Sequence, residues 1–129
     1  MATLVRKKQA TLDEKDFLPN VHRIAALAAE KKAAAINAFD VAGLTLIADA
    51  FVICTAGSEP QMKAVVNAVR EGMKDIGVPP LRVEGAFNGG WILMDFGDVI
   101  LHVFREQART FYDLDGMWAD AAEINLDLN

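Results

Sequence analysis

The chain has 129 residues, 53% of them hydrophobic and 24% charged, and a formal net charge of −5. That balance excludes a disordered chain, no apolar run approaches the roughly 20 residues a spanning helix needs, and Lys and Arg are too few for a protein whose main work is gripping phosphate backbones. The expectation is one soluble domain of ordinary size, with an acidic surface that suits a basic partner protein and little direct nucleic-acid binding.

Residues 1–20 read as a mobile N-terminal arm carrying the basic trio Arg6, Lys7 and Lys8. Its first ten residues contain neither the apolar core nor the small-residue cleavage site of a secretory signal, and Asp13, Glu14 and Asp16 come too early for a mitochondrial leader. A cytoplasmic location is expected. Val21, Ile24, Ala25 and Ala28 then recur at helical spacing in an alanine-rich segment, a first amphipathic helix. Residues 35–41 and 50–56 read as strands.

The period changes after Gly57. Met62, Val65, Val66, Val69, Met73 and Ile76 form a 3.6-residue stripe, with Lys63, Asn67, Arg70 and Lys74 opposite. Ser58 and Gln61 fit a capping box at the start of this helix, and Gly77 with Pro79 and Pro80 ends it. Residues 81–84 begin a strand, most simply parallel to residues 50–56 because a helix joins the two. Asn88, Gly89 and Gly90 permit a turn into two further strands, 91–96 and 98–104, which meet at Gly97. The segment from Arg105 to Trp118 reads as a helical turn and a closing stretch, and residues 119–129 as an acidic C-terminal tail that frays. The fold class is therefore α+β, a single domain with a mixed sheet of about five strands and flanking helices.

Several residues invite chemistry. Asp95-Phe96-Gly97 spells the magnesium-binding triplet of protein kinases, but the phosphate loop, strand lysine and catalytic loop that a kinase places before it are missing. A hairpin turn is the plainer reading. Cys54, the only cysteine, sits in an apolar run that would bury it, and neither His22 nor His102 has a second histidine at ligand spacing, so no metal or cofactor is expected. Gly57 and Ser58 open a helix and fit either a cap or a phosphate-binding turn. The Asp-x-Asp pair that accompanies such a turn in nucleotidyltransferases is absent, which favours the cap. Asp49, Glu84, Asp95 and Asp98 cluster around the hairpins, where solvated turn acids are the common case. Alternation puts Trp91, Leu93 and Asp95 on one face and Ile92, Met94 and Phe96 on the other, so Trp91 fits a core position and an interface anchor equally well. Arg105, Arg109, Tyr112, Asp113 and Trp118 include no nucleophile beside a base and outline no catalytic set.

Read in order, "DVAGLTLIADAFVICTAGS", "LRVEG", "WILMDFGDVILHVFRE" and "RTFYDLDGMW" resemble the ribosomal silencing factor family, also called RsfS or Iojap. The resemblance covers residues 34–118, within a silencing-factor domain bounded at 21–118. It implies a fold related to nucleotidyltransferases without their catalytic site, and a protein that is not an enzyme. It implies binding to the large ribosomal subunit through ribosomal protein L fourteen, steric obstruction of the small subunit, lowered translation under nutrient shortage, and a tendency to form homodimers. Carried over by motif, the partner-binding residues are Asp49, Phe51, Glu84, Trp91, Asp95, Asp98, His102, Arg109 and Tyr112, with Phe51 and His102 fitting the core equally well. The chain departs from the family at Ala50, where an aromatic is usual, and at Asp115-Gly116, where an acidic-then-basic pair is usual; glycine there is expected to loosen the closing helix. The rival reading is a small nucleotidyltransferase or phosphate-binding enzyme using Gly57 and Ser58.

Overall fold

The computed structural model describes residues 16–128, and the basic trio at positions 6–8 lies outside them. Helix α1 spans Leu18–Glu30 and buries Val21, Ile24, Ala25 and Ala28, the stripe its spacing predicts. Helix α2 spans Glu59–Asp75 and buries Met62, Val65, Val66, Val69 and Met73. Ile76, the last member of the predicted stripe, falls just past the helix end and is exposed. The two helices approach closely because Gly72 has no side chain: a Cβ there would lie 2.5 Å from Leu27. Arg23 of α1 secures the contact by donating two hydrogen bonds to the Gly72 carbonyl.

The capping reading of Ser58 holds. Its Oγ accepts from the Gln61 amide at 3.2 Å, while the Gln61 side chain accepts from the Gly57 amide and donates to the carbonyls of Lys31 and Lys32. One glutamine thus closes the start of α2 and ties it to the end of α1.

Strands β1 (Ala34–Asp40), β2 (Ala50–Ala56), β3 (Arg82–Ala86), β4 (Trp91–Asp95), β5 (Val99–Arg105) and β6 (Ala122–Glu123) form one mixed sheet in the order β3-β4-β5-β2-β1-β6. Only β2 and β5 pair in parallel; the other neighbours are antiparallel. Strand β3 runs in the same direction as β2, as expected, but with β4 and β5 between them. The segment expected to fray adds the sixth strand, because Ala122 and Glu123 pair with Asp40 and Phe39 of β1.

Both helices cover one face. Val52, Cys54, Ile92, Met94, Leu101 and Val103 point into that layer against the α1 and α2 stripes. Each fully buried aliphatic contributes about 1.5–3 kcal/mol. Cys54 is part of this core, and burial pushes its thiol pKa up to about 12, which keeps it a protonated, inert filler. Among the described residues the opposite face carries no long helix. Short helices α3 (Glu106–Tyr112) and α4 (Leu114–Met117) follow β5 and contribute Ala108 and Leu114, with Trp118 just past α4, to a second, smaller cluster on that side.

Candidate partner-binding face

Strand register lays out the second face as three rows. Arg82, Asp95, Ile100, Phe51 and Phe39 are aligned across the sheet, then Glu84, Leu93, His102, Ile53 and Asn37, then Ala86, Trp91, Phe104 and Thr55. The face has two halves. Phe39, Phe51, Ile53, Ile100 and Phe104 are buried, with Trp118 edge-on to Phe51 at 5.2 Å. The β3–β4 half has no such cover among the described residues, and Arg82, Glu84 and Ala86 are exposed beside half-buried Trp91, Leu93 and Asp95.

The covered half is fastened by Arg109. A guanidinium has five N–H donors, and here all five are used. Nε and Nη2 reach the two oxygens of Asp115 at 3.0 and 2.8 Å, Nη1 reaches the Ala35 carbonyl and Thr55 Oγ1 at 2.6 and 2.9 Å, and Nη2 also reaches Asn37 Oδ1 at 2.8 Å. The register of β1 slips between Ala34 and Asn37, and Ala35 takes a φ of +49° at the slip. The Arg109 hydrogen bonds hold Asp115 below the usual carboxylate range. Arg109 was matched to an interface role, but its side chain is only 12% exposed and works inside the fold.

Gly116 does not loosen this segment. Its amide donates to Asp113 Oδ1, the cap of α4, and a Cβ at position 116 would lie 2.3 Å from that carboxylate. The small residue lets the cap close.

Trp91 is both a packing residue and a surface one. Its ring stacks on Phe104 at 5.0 Å and meets Tyr112 at 4.5 Å, and its indole N–H donates to His102 Nδ1 at 3.1 Å. Tyr112 leads on to Phe111, which is 79% exposed. Beside Trp91 a shallow groove of about 180 Å³ is lined by Glu84, Gly85, Trp91 and Leu93. Gly85 has a φ of +105° and brings β3 so close to β4 that a Cβ would lie 2.2 Å from the Trp91 carbonyl oxygen.

The turn acids are less free than expected. Asp95 accepts from Arg82 Nε at 3.0 Å and from the Gly97 amide at 2.8 Å, an Asx-type turn that accounts for the kinase-like triplet without a metal. Asp98 is half-buried and accepts from Asn20, and burial raises its pKa. Asp49 is 1% exposed, and its amide donates to the Asp98 carbonyl at 2.8 Å. Of the nine matched residues, Glu84, Trp91, Asp95 and Tyr112 border the open half. Phe51 and His102 lie beneath, Asp49 and Asp98 sit at the strand ends, and Arg109 belongs to the covered half. Arg82 and Leu93 also border the open half and were not among the matched residues; the period-two alternation through Trp91 was the signal for Leu93. Among the described residues no three His, Cys, Asp or Glu side chains converge as a metal site.

A family model, the ribosomal silencing factor during starvation (RsfS), matches residues 14–129. The ribosomal silencing factor RsfS of Bacillus subtilis is 36% identical over 109 residues, 84% of this chain and 92% of that protein. The chloroplastic protein Iojap of Arabidopsis thaliana is 31% identical over 119 residues, 88% of this chain and 48% of that longer protein. A crystal structure of a Bacillus halodurans protein superposes with a TM-score of 0.72 at 30% identity, covering 86% of this chain and 99% of that one. A Chromobacterium violaceum crystal structure gives the same TM-score at 28% identity, covering 83% and 88%.

Proposed function

The chain belongs to the ribosomal silencing factor family, and from that premise we propose that it binds the large ribosomal subunit through the basic ribosomal protein L fourteen and blocks joining of the small subunit. The observation that carries this reading is the β3–β4 half of the sheet, open among the described residues, where Trp91 and Leu93 are rimmed by Glu84 and Asp95, two carboxylates that share the single cation Arg82. An aromatic anchor with an aliphatic neighbour and a carboxylate rim suits a basic partner. Repression is steric: the bound factor occupies surface the small subunit needs, and no bond is made or broken. The reading places its action in the cytoplasm, without nucleotide or metal.

The phosphate-binding alternative is weakened by Gln61, which already takes the Gly57 amide and caps through Ser58. Co-sedimentation with purified subunits tests the proposal. The chain should pellet with large subunits and lower the yield of joined ribosomes, and Trp91→Ala should bind more than tenfold more weakly, about 1.4 kcal/mol. Because Trp91 also packs on Phe104 and Tyr112, affinity must be measured on the folded fraction. Pelleting with small subunits only, or a nucleotide requirement, would overturn the proposal.

A further inference from the structure

His102 occupies a position that is otherwise apolar. It lies between Ile53 of β2 and Leu93 of β4 and is 5% exposed. Phe51 meets its ring edge-on at 5.2 Å. An aliphatic side chain would fill this place without desolvating a polar group. The imidazole instead makes one hydrogen bond, accepting from Trp91 at Nδ1, while Nε2 is buried with no partner among the described residues. An indole nitrogen only donates, so Nδ1 is bare and the neutral ring carries its proton on Nε2. Burial pushes the pKa down to about 4, so this form persists at neutral pH.

We propose that His102 is a positioning residue for Trp91, holding the indole in the one orientation that the partner reads. The inference rests on the reading of Trp91 as a partner contact. Phe104 and Tyr112 restrain the plane of the indole by packing. Packing alone discriminates weakly between the two ways an indole can lie in a slot, because its terminal torsion is roughly two-fold. The hydrogen bond is directional and selects the orientation with Nε1 toward β5. That role accounts for a buried imidazole with one nitrogen unmatched, which fold stability alone does not.

The test compares His102→Leu with His102→Asn, whose side-chain oxygen takes roughly the place of Nδ1, and follows affinity for large subunits, melting temperature and the Trp91 indole N–H resonance. That resonance is identified by its loss in Trp91→Phe. His102→Leu should keep or raise the melting temperature, weaken binding about fivefold or more, and shift the indole resonance; His102→Asn should restore most of the affinity. If His102→Leu binds like the unmodified chain while Trp91→Ala is impaired, the inference fails and the interface reading stands. If the unmodified chain binds no large subunits, the interface reading fails, and an unmoved indole resonance in His102→Leu would sink the positioning role as well. Nitrogen shifts of the unmodified protein decide the matter without a variant: bare Nδ1 and protonated Nε2 support it, and the opposite tautomer overturns it.

Discussion

Arg109 and Asp115 face one another through two parallel hydrogen bonds, and the other three donors of the same guanidinium reach β1 and β2. This joins the segment after β5 to the far side of the sheet. Lysine keeps the charge but cannot reproduce the planar fork. Arg109→Lys should therefore lower stability by about 2 kcal/mol in urea unfolding, with a smaller loss for Asp115→Asn. A midpoint unchanged in both variants would contradict the staple.

Gly85 should resist substitution. Its φ of +105° and the 2.2 Å approach of the Trp91 carbonyl to an added Cβ leave no room for alanine. Gly85→Ala should cost about 2 kcal/mol or more and disturb the groove beside Trp91. Gly43 has nothing within 4 Å of its Cβ position, so Gly43→Ala is the control and should leave the melting temperature nearly unchanged.

Acid should weaken the fold through His102. Burial lowers its folded pKa to about 4, against 6.5 ordinarily, so between these values the unfolded chain binds a proton that the folded chain does not. Stability present above pH 6.5 should decline by roughly 3 kcal/mol as pH falls to about 4. Asp98 acts in the opposite sense, because burial raises its folded pKa and acid then favours the folded chain. The decisive comparison is with His102→Leu, whose stability should fall less between pH 7 and pH 4.5. Equal slopes would show that His102 is not buried neutral.

Charge reversal at Glu84 probes the rim without touching the core. Its side chain is 53% exposed and, among the described residues, paired with Arg82, an exposed partner, and such pairs add little stability. Glu84→Lys should slow association with a basic partner and reduce affinity by about tenfold at low salt, the effect fading as salt rises. Binding that ignores both the substitution and the salt would place the contact elsewhere. Asp95 and Asp98 are poorer probes, since each also holds the β4–β5 turn or the start of α1.

The helices and main strands were legible because their cause is local. Val21 to Ala28 and Met62 to Met73 repeat at 3.6 residues, and Trp91 to Asp95 alternate at two. Ser58 with Gln61 was legible as a cap for the same reason. The Arg109 network was not, because it assembles residues 35, 37, 55, 109 and 115, and no periodicity relates them. Asp98 looked like a solvated turn acid until α1 brought Asn20 against it from 78 positions away. β6 is two residues long and exists only because β1 offers an edge. On the proposed face, motif matching singled out Trp91, Glu84 and Asp95, whereas the division between covered and open halves depends on where α3 and α4 come to rest.

Strand order has a consequence for the chain during synthesis. The parallel pair at the middle of the sheet joins β2 to β5, and β3 and β4 attach only through β5. A nascent chain that stops short of Val99 holds β1 and β2 with one whole side of β2 bare, a hydrophobic template for stray pairing. The sheet therefore closes from its centre late, once β5 has left the ribosome, rather than strand by strand as the chain emerges. A factor whose family is named for silencing ribosomes thus assembles its β3–β4 face only after β5 has been made.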